Sequence, residues 1–198
     1  MRARALTPAL AVTVAALVMA GCGGDNTAGA PHGGTTQGQH QAQDHNQADV
    51  TFAQGMIPHH AQAIAMAQLA PDRAQSPQVK DLARRIEQAQ GPEIETMTSW
   101  LQSWDAEIPS TAESGGDHGG TGAGMMDPQQ MQQLEQATGA EFDRLFLQMM
   151  IRHHEGAVDM AQTELANGQD PAAKQLAQQI IDTQQAEIQE MQALLPQG

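Results

Sequence analysis

From about residue 49 onward, apolar residues recur every three or four positions, which is the period of an amphipathic helix. The first such segment runs from Asp49 to Ala70 and is predicted to end where Pro71 follows. A second begins at Ser76-Pro77, an N-cap followed by a first-turn proline, and reaches about residue 104. No segment alternates apolar and polar residues as a half-buried strand does. The pattern therefore predicts an all-α domain.

The second half of the chain has the same organisation. Asp127-Pro128 predicts the start of a short helix, a long helix follows over about residues 140–167, and Asp170-Pro171 starts a last helix. Residues 105–127 are Gly-rich and link the two halves. Two helix hairpins that each bury one apolar stripe predict a four-helix bundle.

The two hairpins are copies of one unit. The sequence Met-Ile-Pro-His-His at residues 56–60 recurs as Met-Ile-Arg-His-His at residues 150–154, and the same offset holds without a gap far beyond this motif. An internal repeat of this length indicates two copies of one supersecondary unit. Repeat one spans residues 49–104 and repeat two spans residues 128–195.

The N-terminus is predicted to be a targeting signal. Arg2 and Arg4 precede an apolar run that is too short for a spanning helix, and residues 1–21 end in small residues before Cys22, the only cysteine. This pattern is typical of a bacterial lipoprotein, in which Cys22 becomes the lipidated first residue; the alternative is an ordinary secretory signal with an incidental cysteine. Residues 22–47 are rich in Gly, Gln and His and predict a flexible tether before a domain at 48–198.

The formal net charge of −14 argues against nucleic acid and anionic lipid surfaces as partners, because both attract basic patches. The same charge is compatible with attracting cations. We therefore expect an exported protein on the extracytoplasmic side of the cell membrane that contacts the membrane only through lipidated Cys22. The sequence does not define an oligomeric state.

Each repeat carries a His-His pair flanked by methionines, residue types that bind soft or borderline metals. On a helical wheel, the second histidine of each pair lies within the apolar stripe, and the first lies at its margin in line with a methionine seven residues later. Two such clusters that meet across the bundle predict a copper site. The candidate ligands are His59, His60, Met66, His153, His154 and Met160.

Other residues near the stripe are candidates for supporting roles. Glu93 falls within the apolar stripe of its helix, with Gln90 beside it, and a carboxylate that faces a core needs a partner such as a metal or a histidine ring N–H. Met56 and Met150 are interpreted mainly as core residues. The full set of possible supporting residues or further ligands is Met56, Met150, Glu93, Glu187, Asp49 and Asp143.

Three readings of these residues stay open at this point. The histidines are metal ligands, or they are packed polar residues of a structural or partner-binding bundle, or, as a weaker alternative, the metal serves an oxidoreductase. A di-iron carboxylate site is disfavoured because no Glu has a His three residues later. Histidines of the tether, and His118, Met125 and Met126 of the linker, are a rival set of metal ligands.

Three segments resemble the domain-of-unknown-function 305 family. They are Met-Ile-x-His-His-x-x-Ala-Ile-x-Met-Ala at residues 56–67, its near-copy at 150–161, and Gln-x-x-Glu-Ile-x-x-Met-x-x-Trp-Leu at 90–101. The resemblance covers about residues 49–195. It implies a ferritin-like four-helix bundle, usually exported, some of whose members bind copper. The motif of the family carries over onto the six candidate ligands. This chain departs from the motif in its second copy, where Arg152 replaces the equivalent of Pro58 and Val158 replaces the equivalent of Ile64, and neither change removes a candidate ligand.

The sequence thus predicts an exported, lipid-anchored protein that binds a copper ion, Cu(I) in preference to Cu(II), for buffering or resistance. We expect neither catalytic residues nor an organic cofactor, since no phosphate loop and no supported Ser-His-Asp arrangement is present.

Overall fold

A computed structural model describes residues 44–110 and 124–195. The described residues form six helices: α1 (Gln47–Ala67), α2 (Ala70–Arg73), α3 (Pro77–Ser103), α4 (Pro128–Gln136), α5 (Gly139–Asn167) and α6 (Pro171–Leu194). These ranges contain no strand, only one isolated bridge between Ala74 and Gly139. The predicted all-α fold class is confirmed.

Several sequence predictions fall outside the described ranges. The predicted signal peptide, Cys22, most of the tether and linker residues 111–123 belong to this group. Within the described ranges, no helix is long and apolar enough to cross a membrane.

Helix starts follow the predicted Ser-Pro and Asp-Pro steps. The side chains of Ser76, Asp127 and Asp170 each accept a hydrogen bond from a backbone N–H of the first turn that follows. α1 begins with a capping box between Asn46 and Asp49. The last two residues of the predicted tether, Asn46 and Gln47, therefore belong to the bundle.

The predicted end of the first helix at Ala70 is wrong. α1 ends at Ala67, and Pro71 lies in the first turn of the short helix α2. Proline in a helix interior removes one intrahelical hydrogen bond, as Pro58 does within α1, whereas in a first turn its missing N–H has no intrahelical partner in any case. The same residue can thus begin a new helix one turn after the old one ends.

The two hairpins pack through their first helices. α1 packs against α3 and α5 packs against α6, while α1 and α5 join the repeats. The two joining helices are antiparallel, because the side-chain amide of Asn46 at the start of α1 donates to the carbonyl of Asn167 at the end of α5 (2.9 Å). This arrangement relates the repeats by an approximate twofold axis.

Asp49 and Asp143 lie at the two ends of this α1–α5 pair. Asp49 accepts hydrogen bonds from the backbone N–H groups of Gln169 and Asp170, just before α6 (3.0 and 2.9 Å). These two aspartates are possible supporting residues or further ligands in the sequence prediction, and the structure places them at the ends of the α1–α5 pair. Asp49 precedes His59 by ten residues, about 15 Å along a helix, so its carboxylate serves the bundle end.

Two apolar clusters fill the interior, one at each end of the bundle. Met66, Leu82, Phe142 and Met150 belong to the first cluster. The second includes Phe52, Met56, Met97 and Ile180. Between them, at the level where α1 and α5 cross, lies a set of polar side chains, all buried except the partly buried Glu93, that we call the waist: His59, His60, Gln90, Glu93, His153, His154, Gln184 and Glu187.

The segment from Gly124 through α4, here called the cover, packs along one half of the α1–α5 seam. The side-chain amide of Gln62 donates to the carbonyl of Met126 (2.9 Å) and accepts from its N–H (2.7 Å). Arg152 donates to the Met126 sulfur (3.3 Å), and Leu134 of α4 is fully buried. Gly124 adopts a φ of 79° and lies so close to the Arg152 carbonyl that a side chain has no room there.

Candidate metal centre

All four motif histidines are buried, with at most 1% of each residue exposed. The prediction that the first histidine of each pair lies at the margin of the interior is therefore wrong. A helical wheel considers one interface, whereas α1 packs against α3 on one side and against α5 on the other. A position at the edge of the stripe that faces α3 lies at the centre of the interface with α5. Both histidines of a pair are therefore interior residues.

His59 and His153 meet directly across the two repeats. Their ring centroids lie 3.7 Å apart with an angle of 38° between the ring planes. Within each pair the rings are farther apart, 6.5 Å between His59 and His60 and 6.4 Å between His153 and His154. The sequence left open how the hairpins dock, and the structure brings the two His-His pairs to one place.

The second histidine of each pair is bonded to a glutamate of the partner helix in its own hairpin. Nε2 of His60 lies 2.6 Å from Oε2 of Glu93, and Nε2 of His154 lies 2.7 Å from Oε2 of Glu187. An ionised carboxylate only accepts hydrogen bonds, so in the neutral form of the ring the proton sits on Nε2 and Nδ1 keeps its lone pair. A histidine that ligates a metal characteristically donates its other ring N–H in this way.

The Nδ1 atoms of His60 and His154 are buried and have no hydrogen-bond partner within the described part of the chain. A buried acceptor without a partner is unfavourable, because it has lost its hydrogen bonds to water. A cation bound at Nδ1 would compensate for that loss. The residues of the waist therefore fit a metal ion by their own chemistry.

Burial also keeps His153 in the form that binds metals. Removal from water lowers the pKa of His153 well below its usual value of 6.5, and the neighbouring histidines His59, His154 and His60 lower it further. The imidazole is thus neutral near neutral pH. Only the neutral ring has a nitrogen lone pair available for a metal, since protons compete with the ion for it.

Gln90 and Gln184 are further members of the waist that the candidate list did not include as ligands. They are 2% and 3% exposed, and among the described residues neither amide atom of Gln90 nor the Oε1 of Gln184 has a hydrogen-bond partner. The signal that pointed to them is their recurrence in both repeats beside Glu93 and Glu187. Two buried amides with unpaired atoms need water or an ion nearby.

The structure does not bring Met66 and Met160 to one place. Each lies six or seven residues after its histidines, about 10 Å along the helix, and the antiparallel arrangement sends the two residues toward opposite ends. Met66 is fully buried in one apolar cluster, whereas Met160 packs against the other. Met56 and Met150, interpreted mainly as core, lie fully buried one turn before the histidines, about 5 Å away along the axis.

The donors collected at the waist are imidazole nitrogens from both repeats, with two thioethers one turn away. In residues 44–110 and 124–195, no three His, Cys, Asp or Glu side chains form a group that could hold one ion. Imidazole suits copper and zinc, and thioether sulfur selects soft ions such as Cu(I).

A family model described as "Domain of unknown function (DUF305)" matches residues 49–195, which confirms the resemblance found in the sequence. No curated protein matches the chain. A secreted protein of the same description from Streptomyces coelicolor is similar in structure, with 31% identity and a TM-score of 0.64; the match covers 73% of this chain and 89% of that one.

The protein CopM is similar in several metal-bound forms. Its Cu(II)-bound form has 38% identity and a TM-score of 0.63, and the match covers 73% of this chain and 93% of CopM. Its Cu(I)-bound form has 35% identity and a TM-score of 0.60 over the same shares. An Ag-bound form of CopM has 34% identity and a TM-score of 0.60, covering 73% of this chain and 92% of CopM.

Proposed function

Because this chain belongs to the DUF305 family, we propose that it is an exported copper-binding protein whose ion is held at the waist. The observation that carries the proposal is the doubled Glu–His pair. In both repeats a buried histidine donates Nε2–H to a carboxylate, and its buried Nδ1 has no hydrogen-bond partner in the described residues.

Four imidazoles from two repeats supply the nitrogen ligands in this proposal. The Nδ1 atoms of His60 and His154 and the adjoining rings of His59 and His153 are the candidate donors. Since no three such side chains of the described residues already form one group, holding a single ion would require these rings to turn toward it. The carboxylates of Glu93 and Glu187 fix the orientation of two of these rings and increase their basicity. When bound, the copper ion adds positive charge that offsets the desolvation of the two carboxylates.

We expect Cu(I) to be favoured over Cu(II). The waist is flanked on both sides by fully buried methionines, Met56 and Met150, whose soft thioethers suit Cu(I). CopM is found with Cu(I), Cu(II) and Ag bound. Silver as Ag(I) is also a soft monovalent ion, so that relative's ligand range supports a soft-ion site here.

We propose buffering of copper, or resistance to it, as the role, without catalysis. The net charge of −14 attracts cations to the protein surface. A similar structure is described as that of a secreted protein, which supports export. Attachment to the membrane through a lipidated Cys22 is part of this proposal and is tested by metabolic labelling with a fatty acid, with Cys22→Ser as the unlabelled control.

The test of the central claim is a competition titration. The mature protein is titrated with Cu(I) in the presence of a chromophoric Cu(I) chelator, and a variant with all four motif histidines replaced by Ala is titrated in parallel. A His45→Ala variant is the matched control, because His45 stacks on Trp104 away from the waist (ring centroids 4.6 Å apart). Circular dichroism verifies that each variant remains helical.

The proposal expects tight binding by wild type and by His45→Ala, and loss of most affinity in the four-histidine variant. Equal affinity of wild type and the four-histidine variant would favour a structural or partner-binding bundle with ordinary buried histidines. Catalytic turnover by the copper-loaded protein, assayed with oxidisable substrates, would favour an oxidoreductase over a buffer.

A further inference from the structure

The buried histidines raise the question of how an ion reaches them. His59 and His153 lie at the crossing of α1 and α5, and His60 and His154 are shielded by α3 and α6 through their glutamate partners. The seam between α1 and α5 therefore leads most directly to the histidine pair. The twofold relation of the repeats divides this seam into two equivalent halves.

One half of the seam is closed by large side chains and by the cover. Phe142, Leu145 and Met149 of α5 are at most 6% exposed. Leu134 of α4 is fully buried in the same apolar cluster. Met126, held by Gln62 and Arg152, closes the seam next to the waist. Among the described residues, the cover therefore lies over this half of the seam.

The other half contains a cavity of about 400 Å³. Three of the α1 residues that line it are small, because Ala48, Thr51 and Gly55 stand where repeat two has Phe142, Leu145 and Met149. Within the described part of the chain, no counterpart of α4 packs over this half. The cavity is lined by Gln47, Ala48, Thr51, Phe52, Gly55, Met160, Thr163, Glu164 and Asn167.

Met160 presents its thioether at the wall of this cavity. Its sulfur lies 3.6 Å from the position that a Cβ on Gly55 would take, so the absence of a side chain at Gly55 leaves the sulfur accessible from the cavity. Met160 is half-buried, whereas Met66, its counterpart in repeat one, is fully buried. Gly55 precedes His59 by one helical turn, about 6 Å.

We propose that this cavity is the entry site through which a soft monovalent cation of the Cu(I) class reaches the waist, with the Met160 thioether as its first protein ligand. The inference rests on the proposed function and adds a route to it. A thioether binds a soft cation without having to lose a proton, so it can take an ion from a carrier and release it to the imidazoles of the waist, about 10 Å away along the helix. The negative surface of the protein concentrates cations outside the cavity.

The experiment measures the rate of loading separately from affinity. Cu(I) is presented to the mature protein as its complex with a chromophoric chelator under anaerobic conditions, and the decay of the complex is followed by stopped flow. Gly55→Met places in repeat one the residue that closes the other half of the seam, and Gly55→Ala is its control because a Cβ there makes only an ordinary 3.6 Å contact. Met160→Leu removes the sulfur at nearly constant volume, and Met66→Leu is the matched control in the closed half.

A blocked entry slows loading and unloading equally, so the equilibrium affinity stays constant. We expect Gly55→Met and Met160→Leu to slow loading by about tenfold with affinity within about twofold of wild type, and both controls to load like wild type. If Gly55→Met fails to fold, the comparison of Met160→Leu with Met66→Leu decides.

Two results would overturn the entry site. Wild-type loading rates in both Gly55→Met and Met160→Leu would place the route elsewhere, while wild-type affinity left the proposed function intact. An affinity that falls as much as the rate in Met160→Leu would make Met160 part of the final site. Failure of the proposed function looks different, because wild type itself then takes no Cu(I) from the chelator.

Discussion

Asp49 and Asp143 occupy equivalent positions in the two repeats, and each carboxylate caps the second helix of the other repeat. Asp49 accepts from the N–H groups that precede α6. Asp143 accepts from the N–H groups of Gln75 and Ser76 that precede α3 (3.0 and 2.9 Å). The crossed caps join the hairpins at both ends of the α1–α5 pair, and negative charge at a helix N-terminus is favourable.

Replacing Asp143 by Asn is expected to lower the free energy of unfolding by about 1–2 kcal/mol, because the amide oxygen can accept only part of the two charge-assisted hydrogen bonds. Asp49→Asn should cost less, since it also removes the charge that lies beside the buried carboxyl of Glu164. Urea denaturation of the metal-free protein measures both, with the exposed Asp159→Asn as control. Equal stability of Asp143→Asn and wild type would contradict the capping role.

Glu164 should make the bundle less stable in mild alkali. Burial, followed by the neighbouring Asp49 carboxylate, raises the pKa of Glu164 from 4.5 to about 8. The folded state therefore keeps a proton that the unfolded state loses. The stability this group contributes is complete below about pH 4.5 and is lost as the pH rises through about 8.

Glu164→Gln removes this titration and keeps the shape of the side chain. Wild type is expected to lose on the order of a few kcal/mol of unfolding free energy between about pH 5 and about pH 9, and the variant should lose clearly less. Urea denaturation across this pH range gives the two slopes. The same slope in both proteins would mean that other groups cause the alkaline loss.

Glu93→Gln and Glu187→Gln are each expected to weaken copper binding by about 10- to 100-fold, because the amide no longer orients the histidine or increases its basicity. The approximate twofold symmetry predicts similar effects at the two positions, whose histidine contacts are 2.6 and 2.7 Å. Competition titration measures both, and Glu95→Gln, an exposed glutamate of the same helix, is the control. Unchanged affinity in both variants would remove the glutamates from the site.

Gly124→Ala should loosen the cover. Its φ of 79° is unfavourable for alanine, and the added methyl group meets the carbonyl of Arg152. We expect a loss of about 1–3 kcal/mol, with hydrogen exchange in α4 accelerated more than in α6. Gly55→Ala, in the interior of α1, should instead gain up to about 1 kcal/mol. Uniform acceleration in all helices would show that Gly124 affects global stability alone.

The helices and their starts follow from the sequence because their causes are local. An N-cap side chain and a first-turn proline act within four residues, so Ser76-Pro77, Asp127-Pro128 and Asp170-Pro171 predict the starts of α3, α4 and α6 correctly. The repeat, visible in the text of the chain alone, predicts two hairpins of the same kind. The all-α fold and the family membership rest on these features.

Only some residues of the candidate site could be predicted from the sequence. Polar residues within an apolar stripe pointed to His60 and Glu93. The structure places the two side chains in contact, with that of His60 fully buried and that of Glu93 20% exposed. A wheel drawn for α1 alone assigned His59 to the margin, because the second interface, with α5, comes from a distant part of the chain. The wheel also placed Met66 in line with His59, because a wheel does not show the distance of about 10 Å along the helix axis that separates the two residues.

The tertiary structure decided what depends on the antiparallel crossing of α1 and α5. That crossing sets His59 against His153, directs Met66 and Met160 to opposite ends, and brings Asp49 to the start of α6 rather than to the waist. The sequence by itself determined the helices, the repeat and the residue types available for a metal, since these follow from short-range propensity and periodicity. The direction and depth at which two hairpins dock depend on packing between residues that are far apart in the chain, which no local pattern encodes.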